Sequence, residues 1–181
     1  MKKTILTSVL VLLIVLNLAF IFGNSMQKAE SSNKISETIS EKVVSTVTEN
    51  KTKEDSSEPK TELQIYVENA NRKNKEQKLN MILRQSFHAV EFFPLGLLLT
   101  LLAATHIRTK NKVPSSILCG FFALVFFAIS DETIQIFVEG RSFETGDILV
   151  DCVGGFVGIL VAGLIITVLR RNTLKRYEFT V

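Results

Sequence analysis

The stretch "AISDETIQIFVEGRSFETGDILVDCVGGFVG", residues 128–158, decides the fold because it sets Asp131, Glu132, Arg141, Glu144, Asp147 and Asp151 between two apolar runs. If those runs are membrane helices, Asp131, Glu132 and Asp151 lie where a charge costs on the order of a few kcal/mol or more. Groups in such a place are paired, neutralised or used. Working outward, the same apolar character recurs at residues 5–22 and 87–107, beside the two runs at 115–137 and 148–169. Each approaches or exceeds the roughly 18–20 residues that cross a bilayer as helix. Residues 24–86 are strongly polar, so the 46% hydrophobic content is segregated rather than spread over a soluble core.

The sequence therefore predicts an all-α polytopic membrane protein, a four-transmembrane-helix bundle with a long extracytoplasmic segment between helices 1 and 2. Lys2 and Lys3 precede the first run, as in a signal peptide, but the apolar region is long and "FGNSMQ" offers no A-x-A site, so an uncleaved anchor is expected. Lys and Arg cluster before the first span, at Arg108, Lys110 and Lys112 between spans two and three, and at Arg170, Arg171, Lys175 and Arg176 after span four. All fall on one side, which predicts both termini in the cytoplasm. The net charge of +3 is then a matter of topology and anionic-lipid contact, and nucleic acid is not an expected partner. Cys119 and Cys152 would sit near opposite ends of their helices, roughly 15–20 Å apart in depth at the helical rise, and cannot pair.

The expected organisation is an anchor at 1–23, a polar segment at 24–86, a three-helix core at 87–169 and a basic tail at 170–181. Within the polar segment, Ile35, Ile39, Val43 and Val47 recur at helical spacing and suggest a short amphipathic helix. Residues 51–60, polar and closed by Pro59, read as a mobile linker. From about Leu63 the helical pattern returns and can run unbroken into span two, where Pro94 removes one backbone hydrogen bond from the carbonyl of Val90.

Depth brings the polar residues to one level. Arg84, His88 and Glu91 share a helical face at the outer end of span two; Asp131, Glu132 and Gln135 lie at the outer end of span three; Asp147 and Asp151 are i, i+4 at the start of span four. The Asp147–Asp151 stripe continues through Gly155, Gly158 and Ala162, and Gly154 with Gly158 forms G-x-x-x-G, so the charged face and the close-packing face of span four coincide. Acids outnumber Arg84, His88 and Arg141 in this layer. Either some carboxyls hold their protons or a cation from outside completes the balance. The plainer alternative is helix glue, with Arg84–Glu91 or Arg141–Asp147 as interfacial ion pairs worth roughly 0–1 kcal/mol.

The segments "RQSFHAVEFFPLG", residues 128–158 and "FIFGNSMQKAESS" together resemble the VanZ-like family of bacterial membrane proteins, in the family's order and spacing, over most of the chain outside the charged linker. The family pattern falls on Ser25, Gln27, Arg84, His88, Glu91, Asp131, Glu132, Gln135, Gly140, Arg141, Asp147, Asp151 and Gly154. Ile134 stands where many members carry histidine, and Phe92 where tyrosine is frequent, so no second histidine is available at that position. The resemblance implies a small polytopic protein, and, from a founding member associated with teicoplanin resistance, an effect on glycopeptide susceptibility or envelope properties.

Three functions remain open on the residues. The layer could bind an envelope ligand, such as a lipid-linked wall precursor or the glycopeptide itself, with Arg84 and Arg141 holding phosphate or carboxylate groups. It could be a membrane-embedded hydrolase or transferase in which His88, Glu91, Asp131 or Glu132 does acid–base work. No serine elbow, zinc motif or phosphate loop supports that, no cofactor is implied, and a lone histidine beside scattered acids is too weak a pattern to assign a metal site. Proton-coupled accessory transport is the third reading, weakened by the lack of an internal repeat.

Overall fold

The structure, a computed structural model, describes residues 2–26, 38, 42 and 62–178. The chain divides into two units, Met1–Gln27 with Phe87–Val181, and Lys28–Ser86. The amphipathic helix expected around residues 35–47 and the linker at 51–60 lie largely or wholly outside the described residues.

Among the described residues the chain is all helical: α1, Lys2–Ser25; α2, Glu62–His106; α3, Lys112–Gln135; and α4, Thr145–Glu178. All four contain a segment long and apolar enough to span a bilayer, so the protein is a multi-pass four-helix membrane bundle. The unbroken run into span two is real, because α2 is one helix of 45 residues that passes through Pro94. Pro114 falls in the first turn of α3, where a missing N–H costs nothing that the helix end would have satisfied. The part of α2 in the second unit is charged, and Arg72 and Glu76 form an exposed i, i+4 ion pair at 2.9 Å.

Each helix of the membrane unit buries one stripe and gives the rest to lipid. In α1, Leu10, Ile14, Ile21 and Ser25 form a narrow buried seam, while Leu12, Leu16 and Phe20 are more than half exposed. The α3 stripe runs Ser116, Gly120, Leu124, Ala128, Asp131, Glu132, Gln135, changing from small and apolar to acidic as it nears the helix end. Ile14, Ile21, Phe92, Leu95, Leu124, Ala128 and Ile159 make the apolar core. Because the membrane supplies no hydrophobic drive between helices, close backbone approach matters more than oil-like burial.

Glycines provide that approach between α2 and α4. A Cβ on Gly154 would strike the backbone of Ala89, one on Gly158 the carbonyl of Phe93, and one on Gly96 the backbone of Gly155. Ala162 continues the same face and is fully buried. A Cβ on Gly120 would meet the Thr100 hydroxyl, which seats α3 equally close to α2.

The helices alternate in direction. Thr7 near the start of α1 meets Thr105 near the end of α2 at 3.5 Å, and Arg170 on α4 donates to the carbonyl of Lys110 in the α2–α3 turn at 3.2 Å. The basic clusters therefore share one end of the bundle. Both cysteines are free.

Candidate functional site

At the opposite end, all four helices deliver polar side chains to one level. The chain reverses between α3 and α4 through Gly140, the one described residue with positive φ, at 81°. That conformation suits a residue without Cβ. The reversal sets the backbone N–H of Glu144 against Glu132 Oε1. Arg141 Nη1 reaches back to donate to Gln135 Oε1 at 2.9 Å.

Asp131 is held from two directions. Ser25 Oγ on α1 donates to its Oδ1 at 2.6 Å, and Gln135 Nε2, one turn on, donates to its Oδ2 at 3.2 Å. Arg141, Gln135, Asp131 and Ser25 thus form a chain of hydrogen bonds from the α3–α4 turn to the end of α1. Glu91 is tied to the same helix, its Oε1 accepting from Asn24 Nδ2 at 2.8 Å and its carbonyl from Asn17 Nδ2 at 3.5 Å. Asn24 and Ser25 fall where the sequence pattern turns polar after the first apolar run. In the structure that turn is still helix, and it closes the layer.

Asp131, Glu132 and Asp151 are 0% exposed, and Asp147 is 3% exposed. His88 Nδ1 lies 3.2 Å from Asp151 Oδ1, with the His88 side chain 11% exposed and that of Asp151 fully buried. The contact has ion-pair length without hydrogen-bond alignment, since His88 Nδ1 and both Asp151 carboxylate oxygens lack a hydrogen-bond partner. Glu132 Oε2 is likewise buried without one. One donor atom each of His88, Asp131 and Asp151 lie within 4.8 Å of one another, and these three are the described group that could hold a metal ion. Arg84 belongs to the second unit, a turn before His88 in sequence, and Gln27 lies outside the described residues.

Asp151 stands one residue group above the glycines that lock α4 to α2, so the packing fixes its direction into the bundle. Asp131 is four residues from the end of α3, roughly 6 Å at the helical rise. The layer therefore sits near one end of the bundle and not at its middle. Below it Leu95, Leu124, Ala128 and Ile159 fill the interior, all with 0% exposure. The other buried hydroxyls, Thr100 and Ser116, bond carbonyls of their own helices at 2.9 and 2.7 Å.

No curated protein and no solved structure matches the chain. The family model described as VanZ/LLP1 matches residues 9–166, most of the chain and part or all of every membrane helix. The chain belongs to the VanZ-like family.

Proposed function

We propose that this VanZ-like membrane protein lowers glycopeptide susceptibility of the teicoplanin type by binding an envelope ligand at the polar layer, which faces outward from the plasma membrane. The single observation that carries the reading is the group of fully buried acids, Asp131, Glu132 and Asp151, at the bundle end away from the basic clusters, in which Glu132 Oε2 and both Asp151 oxygens have no hydrogen-bond partner. Intramembrane ionisable groups are costly, and unsatisfied ones cost most. Simple glue would end in paired atoms.

Orientation follows from the Lys and Arg distribution: Lys110, Arg170 and both termini cytoplasmic, the α3–α4 turn outside. Transport through the bundle is disfavoured, because carriers place their site at the midplane between repeats, whereas these acids lie near one boundary above an apolar interior. Acid–base chemistry by His88 remains the second reading, favoured by its 3.2 Å approach to Asp151.

The test is expression in a susceptible Gram-positive host at matched membrane abundance, comparing wild type with Asp131→Asn and His88→Ala. Teicoplanin susceptibility and surface binding of labelled antibiotic are measured. Loss of the wild-type effect in both variants supports the layer as the working site. Full effect in both removes it, and altered lipid products in wild-type cells would favour the enzymatic reading.

A further inference from the structure

We propose that His88, Asp131 and Asp151 bind one divalent transition-metal ion, with Zn²⁺ or Mn²⁺ the class that suits one imidazole nitrogen and two carboxylates. It stands whether or not the layer acts on glycopeptide susceptibility.

Geometry comes first. Each residue comes from a different helix, and their donor atoms already lie within 4.8 Å of one another. A tetrahedral ion with arms of about 2.0–2.1 Å holds its donors about 3.3 Å apart. His88 Nδ1 and Asp151 Oδ1 stand at 3.2 Å, so that pair has the spacing of one edge of the polyhedron. Small side-chain rotations bring in Asp131.

Hydrogen bonding makes the second, independent observation. Asp151 is fully buried, yet neither of its oxygens has a hydrogen-bond partner, and neither does the His88 nitrogen facing it. An imidazolium–carboxylate pair would align its N–H with the acceptor. Here the two groups stand at contact distance without that alignment, both turned toward one shared space, as ligands are around a cation. Asp131, by contrast, already accepts from Ser25 and Gln135, the orienting bonds that ligating carboxylates generally carry from their surroundings. Each of its oxygens keeps a second lone pair for an ion.

Charge favours the same conclusion. Two carboxylates and a neutral imidazole carry a charge that one divalent ion cancels, which a single proton would not do. Ca²⁺ and Mg²⁺ prefer all-oxygen shells of six or more ligands, whereas three protein donors including an imidazole leave positions open for water or a ligand on a first-row ion.

The experiment uses the full chain purified in detergent, stripped with chelator and titrated with Zn²⁺ and with Mn²⁺, reading metal retained per chain and the thermal midpoint. Wild type is expected to retain about one ion per chain and to gain thermal stability with rising metal concentration. Asp151→Asn and His88→Gln should weaken retention by at least about tenfold, Ser25→Ala by about tenfold through Asp131, and Ser130→Ala, whose hydroxyl faces outward and bonds its own helix, should leave it at the wild-type level. Should Asp151→Asn or His88→Gln not fold, the Ser25→Ala and Ser130→Ala pair decides. Wild type that retains neither ion and shows no thermal response overturns the site, as does retention unaffected by every substitution or reduced equally by Ser130→Ala. Retention of metal with no effect on susceptibility keeps this site and rejects the antibiotic reading.

Discussion

The two ends of the bundle are both polar, but they solve the same problem in opposite ways. At the basic end Arg108, Lys110, Arg170 and Arg171 are exposed, and the bond of Arg170 to the Lys110 carbonyl lies at the surface. At the acidic end Asp131, Glu132, Asp147 and Asp151 are buried, and other elements reach in to two of them: Ser25 of α1 to Asp131 and the backbone of Glu144 in the turn to Glu132. Hydroxyls near the acidic end sort by the face they occupy. Ser130 and Thr133, facing outward, bond carbonyls one turn back in their own helix at 2.7 Å, while Ser25 reaches across to another helix. The basic end stays at the surface; the acidic end builds an interior.

Substitutions that separate the ends should differ in size. The largest effect is expected at the glycines that hold the acidic end together. Gly154→Ala or Gly158→Ala drives a methyl into α2 backbone and should cost about 1–3 kcal/mol or more by overpacking. Gly146→Ala, with nothing within 4 Å of the new methyl, should be neutral or stabilise by up to about 1 kcal/mol. Thermal unfolding of the purified variants checks both. Equal effects would mean that α2 and α4 are not in close contact.

Ser25→Ala removes a 2.6 Å bond to a buried carboxylate and should cost about 1.5–3 kcal/mol. Ser130→Ala, whose hydroxyl is outward and bonded within its own helix, should stay within about 0.5 kcal/mol. A chemical or thermal unfolding series on the two proteins sharpens the comparison between cross-helix and self-satisfied hydroxyls.

At the basic end, Arg170→Gln loses an exposed hydrogen bond and should change stability by less than about 0.5 kcal/mol. Direction in the membrane is read separately, with a cysteine placed at Ser142 in the α3–α4 turn and another at Thr109 in the α2–α3 turn. An impermeant thiol reagent on whole cells should label the first well above the wild-type background and leave the second at it. Labelling of Thr109→Cys alone would put the acidic end in the cytoplasm.

Much of this was legible in sequence because membranes impose length and periodicity on what crosses them. Four apolar runs, the Asp147–Asp151 stripe and the glycines after it need only the helical repeat to be placed. The contribution of α1 was harder to read, because Asn24 and Ser25 follow a hydrophobic run and look like the beginning of the outside segment. Their signal is register: Ser25 continues the seam of Leu10, Ile14 and Ile21, and Asn24 lies seven residues after Asn17. The grouping of His88 with Asp131 and Asp151 leaves no spacing motif, since each helix supplies one member and only packing brings them together. The bond from the Glu144 backbone to Glu132 depends on the turn at Gly140, which side-chain patterns do not describe.

On this reading the acids are kept for work rather than for holding helices together. Asp151→Asn tests that directly, because it removes a charge whose oxygens lack hydrogen-bond partners while preserving shape. The measurement is teicoplanin susceptibility of expressing cells against the thermal midpoint of the same purified variant. The predicted result is a variant that still folds, because Asn keeps the shape of the carboxylate and the oxygens it replaces lack hydrogen-bond partners, together with loss of the susceptibility effect. A variant that keeps full effect, or one that loses it only by failing to fold, would contradict the claim.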